Sequence, residues 1–222
     1  MIDADSLPAP IRRAIKDLNS SQIRTISHTA MGRDDVIPLW FGEPDCPTPR
    51  FICDAATEAL SLGKTFYTEN RGIPSLRSVL SDYMTNLYGL PVAEDRITVT
   101  VAAMNALMMV MQAIVEPGDN VVVVEPLWPN CREIVAVMDG EPRLVQLELQ
   151  DGRWQLDLER VFEACDDRTK GIFINSPSNP TGWVMPQGQQ QAVLEFCREK
   201  CIWIIADEVY ARIIYDRPFA PS

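Results

Sequence analysis

The chain has 222 residues, of which 46% are hydrophobic and 23% are charged, so it is long enough to fold around a buried core. Its formal net charge of -11 at pH 7 makes nucleic acid and anionic membrane surfaces poor partners, and small molecules are the expected ligands. No apolar run is long enough to span a membrane, and charges throughout the first thirty residues argue against a secretory signal. The expected location is the cytoplasm.

Cysteine and histidine usage points away from a metal centre. The six cysteines are scattered without a C-x-x-C pair, and His28 is the one histidine in the sequence. Reduced thiols are expected in a chain without a secretory signal, and no clustered Cys/His spacing predicts a zinc site. His28 also lacks the neighbouring serine or cysteine that would accompany a histidine base.

The amino-terminal part of the chain lacks a repeating α/β pattern. Residues 1–47 are interpreted as an N-terminal arm and a segment of a small domain, and residues 48–222 as a large α/β domain. A short amphipathic stretch covers residues 11–18, and the apolar segment 37–41 stops at a Gly-Glu-Pro-Asp turn that begins with Gly42.

Regular signals for the start and the end of helices begin after residue 47. A proline at the first helical position and a glycine after the last turn predict two helices, over residues 49–63 and 74–89. Between them lies a polar, aromatic loop, residues 65–72.

Strand and helix patterns alternate through the rest of the chain. Strands are predicted at residues 97–100, 121–124, 144–147 and 171–175, and in the apolar run that starts at Ile202 and ends at Asp207. Helices are predicted at residues 104–115, 129–138, 158–165 and 186–200. The helix over 104–115 is apolar on nearly all sides and the last strand is a continuous apolar run, so both are expected to be buried all round. The fold class is α/β, with three α/β/α layers around a mainly parallel sheet.

Ligands bind at the carboxyl ends of parallel strands, and four segments are expected there. They are residues 101–104, 125–130, 175–182 and 207–210. These segments offer a helix N-terminus with small residues suited to an anion, an aromatic plane, an amide on a proline turn and a carboxylate. A ligand with a phosphate, a flat ring and a ring cation would satisfy all four, and pyridoxal phosphate has these parts. From the strand alone, a simple loop-capping role explains the Asp207-Glu208 pair equally well.

Two of these segments carry a family resemblance. Ser176-Pro177-Ser178-Asn179-Pro180-Thr181-Gly182 and Asp207-Glu208-Val209-Tyr210, in this order and separation, resemble the motifs of fold-type I pyridoxal-phosphate enzymes. The resemblance is to the class I/II aminotransferases related to aspartate aminotransferase, with supporting matches at residues 41–45, 67–72 and 125–130. It covers the chain from about residue 35.

The resemblance implies an aminotransferase that moves an amino group between an amino acid and a 2-oxo acid through pyridoxal phosphate. In such an enzyme Asp207 accepts a hydrogen bond from the pyridine nitrogen, which keeps the ring protonated and electron-withdrawing. Asn179 and Tyr210 address the phenolic oxygen of the ring, and Trp128 stacks on its face. Each of these residues has an ordinary alternative role, as a turn asparagine, a core-edge tyrosine or a buried aromatic anchor.

Three further sites follow from the same resemblance. The backbone at Ala102, Ala103 and Met104 would hold the phosphate, and Gly42 would offer its N–H to the substrate carboxylate, unless it is only a turn glycine. Tyr67 would reach the phosphate in a neighbouring subunit, which implies a homodimer. As an exposed loop aromatic, Tyr67 would have no such role.

The sequence departs from the family pattern in two places. Relatives place glycine or a hydroxyl residue where this chain has Ala102 and Ala103, so a side-chain contact to the phosphate is missing. The Schiff-base lysine of the family, expected a few tens of residues after Asp207, is also missing, and no catalytic residue is assigned. The four lysines all precede Asp207: Lys16, Lys64, Lys170 and Lys200. The chain is therefore expected to be the amino-terminal part of an aminotransferase, incomplete at its carboxyl end and inactive alone.

The same residues are compatible with functions other than that of an aminotransferase. A non-catalytic binding or interaction module would keep the cofactor-site residues without the lysine, and a pyridoxal-phosphate lyase or cyclopropane-forming synthase of the same fold would share the chemistry of Asp207 and Asn179. The effector domain of a transcription regulator is disfavoured, because residues 1–35 are too short and too acidic for a DNA-binding domain. A hydrolase with paired carboxylates is disfavoured because Asp207 and Glu208, as adjacent strand residues, point to opposite faces.

Overall fold

The structure, a computed structural model, describes residues 11–222, and the chain divides into two compact units. One unit joins the described residues up to Asn19 with Ala102–Ser222, and the other is Ser20–Val101. The boundary predicted between residues 47 and 48 falls inside the second unit, and as a domain assignment it stays a prediction. The first ten residues of the predicted arm lie outside the described residues.

The described elements alternate along the chain much as the sequence indicates. In chain order the helices are α1 (Arg13–Lys16), α2 (Gln22–Ala30), α3 (Arg50–Ser61), α4 (Pro74–Tyr88), α5 (Ala103–Ile114), α6 (Asn130–Val137), α7 (Leu158–Glu163) and α8 (Gln187–Lys200). The strands are β1 (Asn120–Glu125), β2 (Glu141–Gln146), β3 (Glu148–Gln150), β4 (Arg153–Gln155), β5 (Thr169–Asn175) and β6 (Trp203–Asp207).

A four-stranded parallel sheet with the spatial order β2-β1-β5-β6 forms the centre of the larger unit. Because side chains alternate along each strand, its two faces bury separate clusters. One face packs against α7 and α8 through Val122, Val124, Ile172 and Ile174. The other packs against α5 and α6 through Val121, Val123, Phe173 and Ile205. This layering confirms the predicted α/β/α fold class.

Two predictions of complete burial are wrong. In β6, Ile205 is buried but Trp203 is 65% exposed, because β6 is an edge strand of the described sheet and pairs with β5 alone. In α5, Met111 is fully buried, whereas Met109 is 50% exposed and Val110 39%. Both elements are apolar on several sides, and composition alone does not show which of those sides is covered by other residues.

The strand predicted at residues 97–100 is also absent. Ile97 has an extended backbone and the Val99 N–H donates to the Arg71 carbonyl at 3.0 Å, but no strand of the described residues pairs with this segment. An extended segment becomes a strand only through a ladder of such bonds. The close approach of Val99 to Gly72 requires glycine there, because φ is +93° and a Cβ would lie 2.7 Å from Val99 Cβ.

Proline and glycine mark the helix ends close to the predicted positions. One hairpin of the structure was not predicted from the sequence. Helix α4 begins at Pro74 and ends at Gly89 in the left-handed conformation, as predicted, and α3 begins one residue after Pro49. The missed element is the antiparallel hairpin of β3 and β4, whose turn residues Asp151 and Gly152 both have positive φ.

A network of polar side chains connects the amino-terminal ends of β1, β2 and β5. Asn120, which is 1% exposed, donates through Nδ2 to Asp166 Oδ1 at 2.9 Å and accepts from Thr169 Oγ1 at 2.7 Å. Arg143 Nη2 donates to Asp166 Oδ2 at 2.7 Å. The hydrogen bond from Asn120, followed by that from Arg143, lowers the pKa of Asp166 to about 2.

We expect Ile172→Ala to lower the free energy of unfolding by about 2–5 kcal/mol, because Ile172 is fully buried in the sheet and its removal leaves a cavity. The matched control is Ile213→Ala at a side chain that is 63% exposed, with an expected change within about 0.5 kcal/mol. Urea unfolding followed by circular dichroism measures both variants. Equal losses for the two variants would contradict the assigned core.

The depressed pKa of Asp166 makes stability depend on acid pH. The stabilisation from the ionised carboxylate is present above pH 3.8 and is lost as the pH falls toward about 2. We therefore expect the stability advantage of the wild type over Asp166→Asn to shrink across this window. Urea unfolding at several pH values tests this, with Asp167→Asn, at an exposed neighbouring carboxylate, as the control. An advantage that stays constant between pH 5 and pH 2 would refute the assignment.

Candidate functional site

The carboxyl ends of the four parallel strands carry a row of polar side chains. Glu125 pairs with Gln146 across β1 and β2, and Asn175 pairs with Asp207 across β5 and β6. Strands β1 and β5 are parallel, and Val123 lies opposite Phe173. Two residues further along each strand, Glu125 lies beside Asn175. Alternation along the strands places the row on the face of the sheet that α5 and α6 cover.

Asp207 is the last residue of β6 and is half-buried, at the position predicted from the sequence. Its Oδ1 accepts the Val209 N–H at 3.2 Å, so the carboxylate is held at the start of the following turn. Burial and, secondarily, the negative charge of Asp207 raise the pKa of the Cys131 thiol on α6. The Asp207 charge therefore acts on the α6 side of the sheet.

Glu208 lies on the other side of the sheet. Together with Ile204 and Ala206 of β6, it lines a cavity of about 250 Å³ whose opposite wall includes Val193 and Leu194 of α8. The cavity is thus separate from the polar row, and the two adjacent carboxylates diverge. This divergence is the geometry that the argument against a paired-carboxylate hydrolase predicted.

Asn175 joins the two loops that follow β5 and β6, a role that the sequence analysis did not assign. Its Nδ2 donates to the Asp207 carbonyl at 3.1 Å, and its Oδ1 accepts the Asn179 N–H at 2.8 Å. The side chain of Asn179 in turn donates through Nδ2 to the Tyr210 hydroxyl at 3.4 Å. An amide at the end of a buried apolar strand was the available signal, because such a group must find hydrogen-bond partners.

Two weaker contacts connect the remaining loops. Ser178 Oγ donates to the Pro126 carbonyl at 3.4 Å, and Asn130 Nδ2 lies 3.6 Å from the Met104 sulfur. Together with the bonds of Asn175, these contacts link all four carboxyl-end segments of the larger unit. The structure therefore brings the following predicted residues to one edge: Ala102, Ala103, Met104, Trp128, Asn179, Asp207 and Tyr210.

The chemistry of this edge fits pyridoxal phosphate. Helix α5 begins after Ala102 without a side-chain cap, so the first backbone N–H groups of the helix face the end where an anion would be stabilised. Trp128 is 40% exposed and leaves aromatic surface for a ring. The Asp207 carboxylate and the Asn179-Tyr210 pair supply the acceptor and donors that the ring nitrogen and phenolic oxygen require.

Two predicted residues belong to the other compact unit. Tyr67 is fully exposed in the loop between α3 and α4, and Gly42 is exposed in the segment before α3. Their roles at the phosphate of a neighbouring subunit and at the substrate carboxylate stay predictions.

No described lysine of the larger unit lies in the polar row. Lys170 is the second residue of β5, where Nζ is 3.5 Å from Asp119 Oδ1, and Lys200 ends α8 just before β6 begins. Both therefore lie near the amino-terminal ends of the strands, opposite the row. Lys16 belongs to α1, and Lys64 belongs to the other unit.

Residues 11–222 contain neither a cluster of metal ligands nor a membrane-spanning helix. No group of three or more histidine, cysteine, aspartate or glutamate side chains is placed to hold a metal ion. No helix in this range has the length and apolar character needed to cross a membrane.

A mainly parallel sheet with helices on both faces and a polar carboxyl edge is the architecture of the large domain of fold-type I transferases. The chain belongs to the aminotransferase class I and II family, whose model matches residues 34–221. This confirms the resemblance seen in the sequence and places the chain in a family of enzymes.

Individual relatives agree with the family assignment. A probable aspartate aminotransferase of Methanocaldococcus jannaschii is 38% identical over 91% of this chain and 52% of the relative. The aspartate/prephenate aminotransferase of Thermus thermophilus is 37% identical over 85% of this chain and 49% of the relative. The structure of aspartate aminotransferase from Thermus thermophilus with maleate superposes with a TM-score of 0.89 at 32% identity, over 96% of this chain and 56% of that one. The chain thus spans about half the length of these relatives.

We expect Asn175→Ala to loosen the Asp207 and Asn179 loops, because it removes both bonds of a buried amide. The free energy of unfolding should fall by about 1–3 kcal/mol, and the Asn179 N–H should exchange with solvent faster. Hydrogen exchange with fragment-level mass spectrometry measures the second effect. The control is Asn105→Ala at an exposed asparagine of α5. Unchanged exchange at Asn179 would refute the role of Asn175.

Proposed function

We propose that this chain supplies the ring-binding half of the cofactor site in a pyridoxal-phosphate-dependent aminotransferase. The reaction moves an amino group between an amino acid and a 2-oxo acid. The observation that carries the proposal is the arrangement around Asn175, which holds the Asp207 segment beside the Asn179-Tyr210 pair. The names of the relatives favour aspartate as the amino donor.

Each residue of the edge has a distinct task in this proposal. Asp207 accepts a hydrogen bond from the pyridine nitrogen and holds the proton there, since a carboxylate favours the charged form of its donor. Asn179 and Tyr210 donate to the phenolic oxygen. Trp128 stacks on the ring, and the backbone N–H groups at Ala102, Ala103 and Met104 bind the phosphate. When bound, pyridoxal phosphate supplies a cationic ring that withdraws electrons from the substrate Cα.

We extend the proposal to the assembly and location of the protein. A homodimer would let Tyr67 reach the phosphate of the partner site, and full exposure of Tyr67 leaves it available for that contact. The exposed apolar side chains of α3, among them Phe51 and Leu60, are suited to an interface. Gly42 would donate its N–H to the substrate carboxylate. A cytoplasmic location is proposed.

A non-catalytic binding module is the second candidate. It is favoured by the position of Lys170 and Lys200 at the far end of the sheet from Asp207. Such a module would bind pyridoxal phosphate through the same contacts without a covalent bond. A lyase or synthase of the same fold would also share these contacts, and product analysis with candidate amino acids separates it from an aminotransferase.

Titration of the purified 222-residue chain with pyridoxal phosphate, followed by quenching of tryptophan fluorescence, tests the site. We expect saturable binding that Asp207→Ala weakens by about 10- to 100-fold, because a hydrogen bond to a charged group is lost. The matched control is Glu208→Ala, which removes the adjacent carboxylate on the opposite face of the sheet and should leave the affinity unchanged. Equal affinities of the two variants would refute the role of Asp207.

The chemistry of the bound state tests an expectation that both candidates share. We expect the 222-residue chain alone to show no transaminase turnover and no borohydride-trapped cofactor at a lysine of this site. Detection of either would contradict the expectation that the covalent half of the catalytic apparatus is missing from these residues. Failure of the wild-type chain to bind the cofactor at all would refute both candidates.

A further inference from the structure

Glu125 is a buried carboxylate at the edge of the site to which no role has been given. Its residue exposure is 9%, and it ends β1 directly before the loop that carries Trp128. Its Oε1 accepts from Arg132 Nη1 at 3.2 Å and its Oε2 accepts from Gln146 Nε2 at 3.1 Å. Both carboxylate oxygens are therefore occupied by donors.

A buried ion pair is weak support for stability on its own, because desolvation opposes the attraction between the charges. A buried ion pair can instead hold two segments of the chain in a fixed relative position when both of its partners are well hydrogen-bonded. The pair of Glu125 and Arg132 has such a geometry to fix, because it joins the last residue of β1 to the first turn of α6. Four residues connect Glu125 to Asn130, and Trp128 is one of them.

Other bonds fix the two ends of the same loop. The Glu125 carbonyl accepts the Leu147 N–H, and the Pro126 carbonyl accepts from Ser178 Oγ at 3.4 Å. At the far end, Asn130 contacts Met104 at the start of α5. Trp128 itself is 40% exposed, so neighbouring residues cover its ring only in part. The backbone of the loop therefore helps to set the direction in which the ring points.

We propose that Glu125 is a positioning residue that acts through Arg132 to hold the Trp128 ring against the cofactor. The inference rests on the proposed function, because it assigns to Trp128 the stacking contact with pyridoxal phosphate. It adds to that function a pair of charged side chains that do not touch the ligand. Gln146 supports the pair by binding the second oxygen of Glu125.

A double-mutant cycle tests the coupling between Glu125 and Trp128. Glu125→Gln should weaken pyridoxal phosphate binding about three- to tenfold, which is the range of one aromatic contact. In the Trp128→Ala background the same change should have no further effect, because the ring through which Glu125 acts is gone. Fluorescence loses its Trp128 reporter in that background, so equilibrium dialysis with absorbance of the free cofactor measures every affinity.

The matched control is Glu133→Gln. Glu133 accepts from Nε of the same arginine at 3.3 Å but lies within α6, outside the loop. It should leave the affinity unchanged. A loss of affinity for Glu125→Gln that persists at full size in the Trp128→Ala background would overturn the proposal, as would equal losses for Glu125→Gln and Glu133→Gln.

A readout without cofactor separates this inference from the proposed function. In the cofactor-free chain, Glu125→Gln should speed hydrogen exchange in the fragment spanning residues 127–131, and Glu133→Gln should not. If Glu125→Gln does not fold, Arg132→Lys replaces it, because lysine keeps the charge and loses the fork of donors. Unchanged exchange in a folded variant would overturn the positioning role even if the wild type binds pyridoxal phosphate. Faster exchange in Glu125→Gln, combined with a wild type that does not bind pyridoxal phosphate, would support the positioning role of Glu125 and refute the proposed function.

Discussion

The parallel pairing of β5 with β6 aligns Asn175 with Asp207, and the arrangement of the whole carboxyl edge depends on that alignment. One amide side chain then bonds to the backbone of β6 and to the loop that presents Asn179. Because Asn175 is buried, neither bond competes with bulk water. Two loops that are 32 residues apart in sequence are thereby given a single geometry.

The two ends of the sheet use polar side chains for different purposes. At the amino-terminal ends, Asn120, Asp166 and Arg143 bond to one another and satisfy their polar groups within the network. At the carboxyl ends, Asp207 and Tyr210 carry groups suited to a ligand, and Asn175 and Glu125 hold the surrounding backbone. This division follows the general rule that parallel sheets bind ligands at the carboxyl ends of their strands.

Local signals in the sequence predict much of this structure. Buried valine runs locate β1, prolines and glycines locate the ends of α4, and the apolar run that stops at Asp207 locates one edge of the site. The failures concern tertiary pairing and coverage. Residues 97–100 have strand character but belong to neither of the described sheets, and the apolar surfaces of α5 and β6 do not reveal which neighbours cover them. Contacts between loops, such as those of Asn175 and of Glu125 with Arg132, depend on register across several strands, which periodicity along one strand does not specify.

The opposite directions of Asp207 and Glu208 show how narrowly the position of β6 along its neighbour is constrained. Ile205 packs over Gly171 of β5, where a Cβ would lie 3.0 Å from Ile205 Cδ1, so the missing side chain at this glycine provides the space for the isoleucine. A shift of β6 by one residue would move Ile205 away from that space and turn Glu208 toward α6 in place of Asp207. A deletion of one residue between α8 and β6 that shifts the strand would therefore place Glu208 opposite Asn175 in place of Asp207, although the composition of the strand would hardly change.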